Sequence, residues 1–277
     1  MSSELQARLL ADLQQFAVPR HVHWDPLGLM TVRQTLRERL AALGPLEDHR
    51  FASSGDEGVN LILRLPGRFA NLPPLLVGAH YDGPLHSPGA DDNASGVAAL
   101  LELARRWAVD PPRRPVWLVA FDQEEWGMVG SSALAQELRA SRQPLKLMVS
   151  LEMLAFTSES QSYPVPAMER VYGNRGDFIG LVANAGAGML LPRLARKMAR
   201  HVSTKVLPVL NRGRDIPDVR LSDHSPFWDG GYNALMVTDT SFMRNPHYHQ
   251  MSDTVETLDL GFFAAVVKGL DAALRQI

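Results

Sequence analysis

The chain has 277 residues, of which 45% are hydrophobic and 21% charged, and 28 Lys and Arg against 30 Asp and Glu leave a net charge of −2. This balance suits a globular protein with a buried core, excludes disorder as the dominant state, and offers no electrostatic basis for partnership with nucleic acid or an anionic membrane. Cysteine is absent, so disulfides and thiolate catalysis are excluded and any metal site must draw on His and carboxylates.

The N-terminus lacks the basic segment and apolar run of a signal peptide, and no later stretch approaches the ~18 apolar residues of a membrane span. A cytoplasmic protein is the expectation. Leu5, Leu9, Leu10, Leu13 and Phe16 fall on one helical face, predicting a helix over 5–16, and a second follows over 31–43. Residues 60–65 read as a strand closed by Pro66–Gly67, and 75–79 as a short buried strand. A helix over 93–107 places Val97, Leu100, Leu101, Leu103 and Ala104 on its apolar side. Then come a strand over 116–121, a helix over 131–138 and a strand over 145–151. The polar stretch 157–177 reads as a long loop. Strands over 179–182 and 234–237 and helices over 191–201 and 260–274 complete the pattern.

Alternating buried strands and amphipathic helices predict an α/β three-layer sandwich, with a mixed, mostly parallel sheet covered by helices on both faces. No linker divides the chain. We expect one domain over 1–277, with helices of residues 1–50 packing on the sheet. Arg193, Arg196, Lys197 and Arg200 read as a solvated helix face.

In open α/β sheets, ligands bind beyond the carboxyl ends of the strands. His80–Tyr81–Asp82 follow the strand at 75–79, and Asp122–Gln123–Glu124–Glu125 follow 116–121. Glu152 follows 145–151, and Thr238–Asp239, then His247–Tyr248–His249, follow 234–237. A carboxylate cluster without cations repels itself, and a divalent metal is its natural compensation. Single members have plainer readings. Asp91–Asp92–Asn93 can cap a helix, and Asp82 can be a turn residue or can accept the other imidazole proton of His80. Glu152 sits among mostly apolar neighbours, and a buried Glu needs a partner.

Read in order, the pieces are His80–Tyr81–Asp82, Gly89–Ala90–Asp91–Asp92–Asn93–Ala94–Ser95–Gly96, Glu124–Glu125–Trp126–Gly127–Met128–Val129–Gly130–Ser131, Leu151–Glu152–Met153 and Ser222–Asp223–His224. The last is Asn245–Pro246–His247–Tyr248–His249–Gln250–Met251–Ser252–Asp253–Thr254. Together, over about 80–254, they resemble the M28 family of zinc exopeptidases, whose fold the glutaminyl cyclases share. The resemblance implies an exopeptidase with zinc, two per chain; we expect an aminopeptidase, with a carboxypeptidase or other amidase as the alternatives, and the lack of a large mid-chain insertion points to short peptides. An all-N/O ligand set also admits manganese or cobalt. It implies His80 and Glu152 on one metal, Glu125 and His249 on the other, and Asp92 bridging both. Glu124 then matches the general base, Asp82 the residue that orients His80, and Tyr248 a tyrosine that helps hold the oxyanion in some members. Three carboxylate ligands against two divalent ions leave a charge of +1, or zero with hydroxide.

One departure is Glu152, where the family usually has Asp, one methylene shorter. His247 competes with His249, but in an extended segment their side chains point to opposite sides, and we take His249. Asp223–His224 should shape a pocket wall. The 211–215 segment is a candidate rim loop for a substrate terminus, and Phe156, Phe227 and Phe242 are candidates for a specificity pocket or for the core. The competing readings are a single-zinc, glutaminyl-cyclase-like acyltransferase and a non-catalytic relative.

Overall fold

The computed structural model describes residues 2–53 and 56–277. Two helices lead, α1 (Ser2–Phe16) and α2 (Pro26–Ala41), followed by the antiparallel strands β1 (Leu46–Ser53) and β2 (Asp56–Leu65). The chain continues through β3 (Leu75–His80), α3 (Gly96–Val109), β4 (Val116–Phe121), α4 (Val129–Ala140) and β5 (Leu147–Glu152). It ends through α5 (Ala167–Tyr172), β6 (Ile179–Asn184), α6 (Leu191–Met198), β7 (Thr204–Val209), α7 (His224–Asp229), β8 (Ala234–Thr238) and α8 (Leu260–Leu274).

The strands form one eight-stranded sheet in the order β1-β2-β4-β3-β5-β8-β6-β7. Its centre, β4-β3-β5-β8, is parallel. β2 joins antiparallel to β4, and β6 joins antiparallel to β8 while β7 runs parallel to β6. The central strands are buried along their whole length, which is why VWLVAF and LLVGAH are continuous apolar runs with no alternation. One face packs on α1, α2, α3, α6 and α8 through residues such as Leu9, Phe16, Leu36, Trp107, Leu194 and Phe263. The other packs on α4 and α7 through Leu134, Leu138, Phe227 and Trp228. This is the three-layer α/β sandwich expected, and no described helix is long and apolar enough to cross a membrane.

The differences have local causes. α2 starts early because Pro26 supplies the preset φ of a first helical turn. β1 and β7 escape a reading based on apolar runs because both are edge strands: β1 alternates buried and exposed positions, and β7 carries Pro208, which only an edge tolerates. The segment 157–177 is not structureless, since it contains α5 and a bridge between Ser158 and Gly176.

The N-terminal helices are part of the core. Phe16 is fully buried, with the Arg39 guanidinium 5.2 Å from its ring centre. Phe16→Ala should cost about 3–5 kcal/mol of folding stability, read as a shift of the urea unfolding midpoint with an unchanged slope.

Candidate metal centre

The carboxyl ends of β3, β4 and β5 lie side by side, and the turns that leave them carry the acidic and imidazole groups. His80 is the last residue of β3 and is fully buried. Its Nε2 lies 3.3 Å from Asp92 Oδ1 and 3.6 Å from Glu152 Oε2. Across Asp92, His249 Nε2 lies 3.2 Å from Asp92 Oδ2 and 3.3 Å from Glu125 Oε2. Asp92 thus gives one oxygen to each of two groups, His80–Asp92–Glu152 and Asp92–Glu125–His249, and within each group the donor atoms lie within 4.8 Å of one another. Glu124 joins His80 and Glu125 in a third such cluster.

The loops are held by backbone clamps. Asp82 Oδ1 accepts from Glu124 N and Oδ2 from Glu125 N, both at 3.0 Å, so one carboxylate aligns two successive residues. Asp253 does the same for the other loop, accepting from Asp91 N at 3.0 Å and Asp92 N at 3.1 Å. Arg20, fully buried, donates to the carbonyls of Tyr81 at 3.0 Å, Gly89 at 2.9 Å and Asp92 at 3.3 Å, tying the two loops together. Ser222 Oγ donates to Glu152 Oε2 at 2.7 Å. Gly89 sits at φ +59°, where an added Cβ would lie 2.1 Å from Asp92 O, so only glycine lets this loop close. Gln123 (φ +60°), Met153 (φ +50°) and His249 itself (φ +56°) also take the left-handed conformation, a local cost that recurs at functional sites.

Burial pushes the Glu124 carboxyl well above the usual carboxylate range; Glu152, Asp223 and Asp82 add to this and His80 opposes it. Burial likewise raises Glu125, with Asp92 and Glu124 adding. Asp92 goes the other way: burial acts to raise it, but the His249 and His80 imidazoles set against its two oxygens outweigh that and hold it below its usual value. Burial acts to lower His80, yet Glu152 and Glu124 hold it well above its usual value. The donor set fits a metal on chemical grounds. Both ring nitrogens of His80 and Oε1 of Glu125 are buried without a hydrogen-bond partner, and the neighbouring atoms are oxygens and nitrogens in three-donor groups.

The expected site residues gather here, with corrections to several attendant readings. Asp82 lies 3.4 Å from His80 Nδ1 without making a hydrogen bond, and its bonds go to the Glu124 and Glu125 amides instead. The 245–250 segment is a turn and not extended, but it still separates the two histidines. His249 faces Asp92, while His247 bonds Ser252 Oγ at 2.9 Å and packs edge-on to Phe156. Tyr248 stacks on His249 with ring centres 3.8 Å apart. In the 211–215 segment, Arg212 and Arg214, together with Arg220, pair with Asp229 rather than reaching the cavity. Phe227 belongs to the core, and His224 packs edge-on to Trp228. Of Asp91–Asp92–Asn93, which sit in a short π-type turn, Ala90–Ser95, preceding α3, only Asn93 acts like a cap, its Oδ1 accepting from Gly96 N at 3.0 Å. Arg20 was missed altogether, because nothing around Pro19–Arg20–His21 signals a guanidinium aimed at carbonyls some sixty residues later. Asp253 and Ser222 lie inside the motifs that carry the resemblance, and for Asp253 the available signal is an Asp next to a ligand loop.

A cavity of about 280 Å³ opens beside this centre. It is lined by Asp92, Glu124, Glu125, Glu152, Tyr248 and His249, and by apolar groups including Phe178, Met236, Phe242 and Met168.

The sequence model of peptidase family M28 matches residues 60–273. The uncharacterized protein YfbL of Escherichia coli (strain K12) is 38% identical over 216 residues, covering 73% of this chain and 66% of that protein. Aminopeptidase YwaD of Bacillus subtilis (strain 168) is 29% identical over 186 residues, 65% of this chain and 36% of that one. The chain therefore spans less than two thirds of the length of these relatives. A Zn-dependent exopeptidase from Parabacteroides distasonis ATCC 8503 superposes with a TM-score of 0.70 at 15% identity, over 100% of this chain and 98% of that one, which is a likeness of fold.

Because the Glu125 carboxyl and the His80 imidazole are held above their usual values, protons and a metal compete for these donor atoms. Zinc affinity should therefore weaken as pH falls, by about tenfold per pH unit for each proton released. Calorimetry in buffers of different ionisation enthalpy should show protons leaving. Asp82→Asn leaves a single acceptor for two amides, and should weaken zinc binding about 10–100-fold in a chelator competition, with little change in the thermal unfolding midpoint.

Proposed function

The chain belongs to peptidase family M28, and from that premise we propose that it is a zinc-dependent aminopeptidase removing the N-terminal residue of short peptides. The observation that carries this reading is Asp92, whose two oxygens face two separate three-donor groups while Glu124 stands beside both. In this reading His80, Asp92 and Glu152 hold one zinc, and Asp92, Glu125 and His249 a second, both with all-N/O donor sets.

Zinc, when bound, polarises the scissile carbonyl and makes water acidic enough to be a nucleophile near neutral pH. The chain's own groups do the rest. Glu124, half-buried beside both donor groups, acts as the carboxylate that takes a proton from the attacking water and delivers it to the leaving amine nitrogen. Asp82 keeps Glu124 and Glu125 in fixed relation by holding both of their amides, so that one side chain can ligate while its neighbour moves the proton. Ser222 fixes Oε2 of Glu152 by donating to it at 2.7 Å. Tyr248, half-buried and stacked on His249, presents its ring to the cavity, and its hydroxyl, raised above its usual value by burial, stays a proton donor throughout the working range. That suits a group that hydrogen-bonds a developing oxyanion.

Glu124→Gln removes the proton acceptor and leaves the five proposed ligands in place. It should lower kcat on aminoacyl-nitroanilides by about 10²–10⁴-fold with little change in KM and with zinc retained by elemental analysis. Zinc lost in parallel with activity would make Glu124 a ligand; full activity in the variant would overturn its role.

A further inference from the structure

We propose that Lys205 receives the free C-terminal α-carboxylate of the peptide, making the site selective for short peptides with an unblocked C-terminus. The inference rests on the peptidase reading above and names the substrate class for it.

The argument starts from sheet register. Glu152 pairs with Thr238, Thr238 with Gly180, and Gly180 with Lys205, so the four residues form one row across β5, β8, β6 and β7. Directly paired residues project from the same face of a sheet. Two residues along their strands, Met236, Val182 and Leu207 belong to or pack on the apolar layer shared with α4 and α7, which places the row on that face. All four residues line the cavity. Three inter-strand steps of ~4.8 Å put the Glu152 and Lys205 backbones ~14 Å apart.

Between these ends the floor is low and the walls are apolar. Gly180 contributes no side chain to the row, and Phe178, Met236 and Phe242 flank it. At the far end, Lys205 Nζ lies 4.3 Å from the centre of the Phe178 ring, and no carboxylate lies within ion-pair distance of it among the described residues. Asp177, the acid that acts on it through space, pairs instead with Arg175 at 3.4 Å. A half-buried ammonium without a counter-ion, at the end of an apolar trough, is complementary to an anion carried by the substrate. With ~3.4 Å per extended residue, ~14 Å holds about four residues at most. The side chain of an N-terminal Asp or Glu is too short to cross that distance from a scissile bond at the centre, whereas the C-terminus of a peptide with about four residues beyond that bond reaches it.

The test compares zinc-loaded wild type, Lys205→Met and Lys205→Arg on three leucine substrates, Leu-Gly-Gly-Gly-Gly, its C-terminal amide, and leucine nitroanilide, which has no carboxylate, with glutamyl nitroanilide as a control for the first side chain. The expected result is wild-type kcat/KM about tenfold or more higher on the acid than on the amide. Lys205→Met should bring the acid down to the amide, leave the amide and the nitroanilide within about twofold, and Lys205→Arg should restore most of the preference. Dissociation constants of acid and amide on the inactive Glu124→Gln protein, with and without Lys205→Met, should show the same difference without turnover. Equal wild-type rates on acid and amide would overturn the assignment, as would an equal loss on all three substrates in Lys205→Met, which marks a structural role. A loss confined to glutamyl nitroanilide would overturn it too, by moving the contact to the first side chain. If zinc-loaded wild type cleaves none of the substrates, the peptidase reading itself fails, and this assignment with it.

Discussion

Like charges held out of water set the terms for this structure. Asp82, Asp92, Glu124, Glu125 and Glu152 converge around one buried imidazole, with donor atoms of the central groups within 4.8 Å. Two carboxylates 4 Å apart repel by about 4 kcal/mol even in an effective dielectric of 20. The protein tolerates the cluster by three means: a shift of Glu124 and Glu125 towards the protonated form, histidines placed against both oxygens of Asp92, and a donor geometry suited to divalent cations. Cation binding, proton release and folding of the loops are therefore one linked equilibrium.

Holding such groups together requires rigid backbone, and the clamps supply it. Asp82 and Asp253 each spend both oxygens on two successive amides, and Arg20 spends its guanidinium on carbonyls of both ligand loops. These groups carry charge, yet their work is to fix the geometry of others. The second histidine and the second glutamate come from turns in the left-handed conformation or next to it, and the sheet ends hold those turns in place. The same sheet also organises the cavity. The antiparallel entry of β6 beside β8 carries the row from Glu152 outward to Lys205, so one register relates the proposed metal ligands to the far wall.

Much of this was legible in the chain. Buried parallel strands announce themselves as unbroken apolar runs, and β3, β4 and β5 each hand the chain directly to His80, to Glu124–Glu125 and to Glu152. Metal chemistry needs specific side chains at specific offsets, and such offsets survive in one dimension. Edge strands were not legible, because solvent on one side permits polar residues and Pro208. Nor was α5 within 157–177, a helix of six residues with no buried face to impose a period.

The sequence by itself determined the α/β layering, the family and the set of His, Asp and Glu residues that gather at the sheet edge, because hydrophobic period and ligand type are properties of neighbours along the chain. Tertiary structure alone decided how His249 is turned onto Asp92, that Asp82 holds two amides beside the His80 ring, and that Arg20 ties the loops. It alone set Lys205 in line with Glu152. Each of these depends on direction and distance between residues far apart in the chain, and those are fixed only when the strands choose their register and the core closes around them.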